Sequence, residues 1–103
     1  MIDMDRIDEL RGEIGAEDLD LVLDLFLEEA NAAIERLESG REVCELGRII
    51  HFLHGGALNM GLRGFAVTAA TIEAERISDP LVAASRLRAI LERTQADLTI
   101  LPA

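Results

Sequence analysis

His51-Phe-Leu-His-Gly-Gly-Ala-Leu-Asn-Met-Gly61 holds both histidines of the chain, three residues apart and followed directly by two glycines. Glycine inside a helix is destabilising by roughly 0.5–1 kcal/mol relative to alanine, so a consecutive pair needs a reason. Leu46, Ile49, Ile50, Leu53, Ala57 and Met60 recur at helical spacing and predict a helix over about Arg41 to Met60. Successive side chains stand about 100° apart on that helix, which gathers these apolar residues on a core face and puts His51 almost opposite. Within about 60° of His51 lie Gly47, Arg48, His54, Gly55, Leu58 and Leu62. Gly56 falls at the edge of the core face, where close approach of another helix explains it. Gly55 points outward one turn after His51, where a missing side chain serves something that approaches from outside.

The segments around this helix share its periodicity. Upstream, Leu19, Val22, Leu23, Phe26, Ala30, Ala33, Ile34 and Leu37 line one face of a helix that starts near Ala16-Glu17-Asp18 and runs to Ser39-Gly40. Leu21, Leu25 and Leu27 widen that face beyond what one neighbour covers, as expected for a central helix. Ahead of it, Asp3 can cap a short helix carrying Met4, Ile7, Leu10 and Ile14. Downstream, Gly61 and Gly64 bracket a break, after which a fourth helix carries Phe65, Ala69 and Ile72 as far as Ile77 or Ser78. Ser78-Asp79-Pro80 then supplies a cap and a proline at the first position of a fifth helix. That helix uses Leu81, Ala84, Leu87, Leu91, Thr94 and Leu98 and stops before Pro102. Period-two alternation is absent. The expected fold is all-α: residues 1–103 as a single domain, an antiparallel up-down four-helix bundle with a short additional N-terminal helix.

Composition narrows the function. Twenty acidic residues against ten basic ones, all arginine, give a formal charge of -10. Such a field repels polyanions, so nucleic acid is not an expected partner. The single cysteine, Cys44, excludes an intramolecular disulfide and cysteine-based zinc motifs. No leader-like opening and no apolar run of about 20 residues occurs, so a cytoplasmic protein with no membrane partner is expected. With three Phe and no Tyr or Trp, the core is aliphatic.

The stretch from His51 to Gly61 resembles the His-x-Leu-Lys-Gly-(Ser/Gly)-(Ala/Ser)-x-x-x-Gly signature of histidine-containing phosphotransfer (HPt) domains. Leu25-Phe-Leu-Glu-Glu-Ala30 resembles the apolar-acidic opening of that family's first bundle helix, and the likeness covers roughly residues 16 to 100. The resemblance implies a phosphorelay intermediate without its own nucleotide site. His51 would accept a phosphoryl group from a receiver-domain aspartate and pass it to another receiver. A histidine of ordinary pKa, about 6.5, is a competent nucleophile near neutral pH. The implied partners are receiver domains of response regulators or hybrid histidine kinases, which bring the magnesium; no cofactor of its own is expected, and the chain is expected to be a monomer. Gly55 matches the family's small residue after the histidine. The docking surface would comprise Gly47, Gly55, Leu58, Leu62, Leu25 and Leu21. One departure stands out: the family's lysine three residues after the histidine is replaced by His54. His54 and Arg48 are expected to share stabilisation of the phosphoryl oxygens.

Other readings start from the same residues. His51 and His54 form an H-x-x-H pair, but Arg48 stands where a di-metal bundle would place an acid, so no metal site is expected. A phosphorylation-incompetent adaptor would use the same face for partner proteins. A phospho-accepting module of a chemotaxis-type kinase would share every feature above.

Overall fold

A computed structural model describes residues 1–40 and 45–101. The five described helices are α1 (Met4–Ile14), α2 (Ala16–Glu38), α3 (Leu46–Asn59), α4 (Arg63–Ala74) and α5 (Pro80–Thr99). They make an all-α bundle in which α3 packs on α4, α4 on α5, and α2 on α1, α3 and α5. The expected start of the third helix at Arg41 lies outside the described residues, as do Cys44 and Pro102. None of the described helices is long and apolar enough to cross a membrane.

The sequence periodicities become the core. Leu19, Leu23, Phe26, Ala30, Ala33, Ile34 and Leu37 of α2 are buried against Ile49, Ile50, Leu53 and Ala57 of α3 and Leu87 and Leu91 of α5 within one cluster. Phe26 and Phe65 meet edge to face, with ring centroids 6.1 Å apart and planes at 80°, the arrangement that ring quadrupoles favour. Leu81 departs from expectation: it is exposed, and Pro80 with Ala83 and Ala84 begins the buried stripe of α5 instead. Asp79 caps α5 by accepting from Leu81 N–H at 2.9 Å, and Asp3 caps α1 by accepting from Arg6 N–H at 3.2 Å.

Two helix ends fix the α3–α4 hairpin. At the end of α3, Gly61 adopts φ 75°, Leu62 N–H donates to Ala57 C=O at 2.9 Å and Gly61 N–H to Leu58 C=O at 3.2 Å. This pair of bonds is a Schellman closure, which needs a left-handed residue after the C-cap. The same pattern ends α4 at Ala74, earlier than the expected Ile77 or Ser78: Arg76 turns left-handed at φ 53° and Ile77 N–H donates to Ile72 C=O at 3.3 Å. The strain of a non-glycine residue there is offset by returning Ile77 to the core, against which it packs. The start of α1 clasps the hairpin, with its N-cap Asp3 N–H donating to Gly61 C=O at 2.8 Å and Arg6 Nε–H donating to Asn59 C=O at 2.9 Å.

Across the bundle, Arg88 of α5 donates to Glu38 of α2 at 2.9 Å. That hydrogen bond holds the Glu38 carboxyl below the usual glutamate range.

Candidate functional site

The core face of α3 is buried as its phase predicts, and the opposite face carries His51, whose side chain is 80% exposed. Gly47 and Gly55 stand one turn before and one turn after it. A Cβ added at either position would meet nothing within 4 Å, so the imidazole stands in a gap open along the helix in both directions. Gly56 answers a different demand. A Cβ there would run into Phe26 Cε1 and lie 3.2 Å from Cδ1, so the helices approach only because that side chain is missing.

The structure adds a residue that sequence reasoning missed. Glu73, from the last turn of α4, reaches both imidazoles: Oε2 lies 3.4 Å from His51 Nδ1 and Oε1 lies 3.0 Å from His54 Nδ1. His54 and Glu73 are partly buried, which holds the bridge in place beneath the exposed ring. A signal for Glu73 exists in the sequence. The chain doubles back at Gly61-Leu62, so a residue about as far beyond that turn as His51 lies before it comes alongside His51. Glu73 is also the only carboxylate in α4.

The carboxylate sets the proton positions. An ionised carboxylate only accepts hydrogen bonds, and a neutral imidazole carries one N–H. The ring proton of each neutral histidine therefore sits on Nδ1, facing Glu73, and each Nε2 keeps its lone pair. For His51 that lone pair points into the gap. For His54 the neutral ring has no N–H left to give a second group, because the only one it carries is directed at Glu73.

The other sequence-predicted residues divide. Arg48 is exposed one turn before His51 and, among the described residues, has no hydrogen-bond or ion-pair partner. Leu58, Leu21 and Leu25 are exposed, as a docking surface requires. Leu62 is not available to it: the residue is 0% exposed. Its expected outward position extrapolated the phase of α3 past Asn59, whereas the turn at Gly61 reverses the chain and tucks Leu62 into the core as the apolar residue of the Schellman closure. Phe52, next to His51, is half-exposed and adds an apolar surface that sequence reasoning did not single out.

A family model described as the Hpt domain matches residues 21–97, a span that includes all of α3 and α4 and most of α2 and α5. No curated protein and no solved structure matches the chain.

Proposed function

Since the chain belongs to the Hpt domain family, whose domains carry phosphoryl groups in two-component signalling, we propose that it is a phosphorelay intermediate using His51 as phosphoryl acceptor. The observation that carries this reading is an exposed imidazole whose Nδ1 faces a carboxylate while side chains are missing one turn to either side.

In the proposed step, the His51 Nε2 lone pair attacks the phosphorus of a receiver's aspartyl phosphate. The N–P bond forms as the O–P bond breaks, and the aspartate leaves as a carboxylate. The ring becomes positive and keeps its Nδ1 proton on Glu73, whose charge opposes the one that develops. Glu73 thus acts through the ring, orienting it and fixing its tautomer, as the carboxylate does in a serine protease triad. Gly47 and Gly55 leave room for an in-line approach, so the gain is in positioning. The magnesium and the acidic pocket belong to the receiver. Arg48 is the cation for the phosphoryl oxygens from the preceding turn, and His54 joins it only when protonated. Leu58, Phe52, Leu21 and Leu25 supply apolar contact with the receiver.

Incubation with a radiolabelled phospho-receiver tests the reading. Acid-labile, base-stable label should appear on the wild-type chain and be absent from His51→Gln. Label retained by His51→Gln, or no transfer from any receiver of the organism, would overturn it.

A further inference from the structure

His51, His54 and Glu73 converge in a way that serves a second ligand. One donor atom from each lies within 4.8 Å of the others. Two imidazoles and one carboxylate form a facial set suited to borderline transition metals, and the nitrogen content argues against calcium or magnesium. Zinc–ligand bonds of about 2.0–2.1 Å in a tetrahedron put neighbouring donors about 3.4 Å apart. The two Nδ1 atoms lie 3.4 and 3.0 Å from Glu73 Oε2 and Oε1 respectively, so each ring already stands about one such edge from a carboxylate oxygen. The widest spacing in the set, up to 4.8 Å, can close by rotation of the exposed His51 ring. His51 is 80% exposed, so water can reach an ion beside it and complete the fourth position. The net charge of -10 favours a cation despite the nearby Arg48.

We propose that these three side chains bind one zinc-class divalent ion, and that the ion and a phosphoryl group exclude each other at His51. The reason is the tautomer. An ion on Nδ1 displaces the ring proton, which passes through solvent to Nε2, so the lone pair needed for phosphoryl transfer is consumed. Glu73 remains a carboxylate and the ion sheds water; no proton is gained or lost by the neutral site. An ion on Nε2 instead would occupy the nucleophile directly. Arg48 stands three residues before His51, where a di-metal bundle would place an acid; Glu73 of α4 supplies one from the side. The exclusion half of the proposal rests on His51 being the acceptor, while the binding half does not.

The test uses the full chain and Zn2+, with Co2+ as the spectroscopic probe. Zn2+ titrated against a chromophoric chelator should saturate at one ion per chain, and Co2+ should give the visible absorption of a four-coordinate site. His54→Ala and Glu73→Gln should each weaken binding by about tenfold or more, with Arg48→Ala binding at least as tightly as wild type. Saturating Zn2+ should then protect His51 from acylation by diethyl pyrocarbonate, and suppress its phosphorylation by phosphoramidate, a donor that needs no receiver. Absence of saturable binding, binding indifferent to both His54→Ala and Glu73→Gln, or a fully reactive His51 in the metal-loaded protein would each overturn the proposal. Metal binding is read on the unphosphorylated chain, so phosphate acceptance without it sinks this inference alone. Loss of phosphate acceptance with metal binding intact sinks the phosphorelay reading instead.

Discussion

Gly55 and Gly56 are adjacent in the chain, and α3 uses them for opposite purposes. At Gly56 the space is taken: the missing side chain lets the Phe26 ring, itself edge-on to Phe65, lie against the α3 backbone. Around Gly55 nothing comes within 4 Å of where a Cβ would be. The first absence improves the packing of the bundle, and the second lowers the stability of the helix with no return inside the molecule. A cost with no internal compensation marks the face on which something external must act.

The comparison can be broken most sharply at His51. His51→Gln should eliminate phosphate acceptance while leaving the unfolding free energy from denaturant titration within about 0.5 kcal/mol of wild type, since the ring is outside the core. A variant that unfolds would place the ring on the wrong face. Glu73→Gln should slow acceptance by about tenfold, the loss expected for a hydrogen bond to a charged group worth roughly 1.5 kcal/mol. An unchanged rate would mean that the tautomer is set by something else. Gly56→Ala should destabilise the fold by about 1–3 kcal/mol through overpacking, lowering Tm by about 4–8 °C per kcal/mol, because the Phe26 ring is held by Phe65 and cannot yield freely. Gly55→Ala should do the reverse, raising stability by about 0.5–1 kcal/mol, while transfer from a receiver slows. Equal effects of the two alanines on Tm would erase the distinction between the faces.

The helices and the core were legible because each segment carries a stripe at period 3.6 that survives packing: Leu46 through Ala57 on α3 and Leu19 through Leu37 on α2 are buried as their spacing predicts. Phase was also enough to put His51 and Gly55 outside. It failed where the helix stops. Leu62 obeys the turn at Gly61 instead of the periodicity that precedes it, so a residue assigned to docking belongs to the core. Leu81, in the first turn of α5, was misplaced similarly, since Pro80 occupies the inward direction there. Glu73 was missed for another reason: its role arises from the register between two helices, and no property of its own segment reveals it.

The His51–Glu73 and His54–Glu73 pairs span 22 and 19 residues, whereas the Arg88–Glu38 pair joining α5 to α2 spans 50. The His51, His54 and Glu73 cluster is thus contained in one hairpin closed by a three-residue turn, and the entropy of bringing its groups together is smaller than that of closing the bundle. Local pairings form early where topology governs rate. In pulsed hydrogen exchange during refolding, amides of α3 and α4 should gain protection before the α2–α5 pair. The reactive centre would then exist as geometry while half of its scaffold is still unformed, which makes this contiguous segment the unit that a recombination event could carry intact from one helical framework to another.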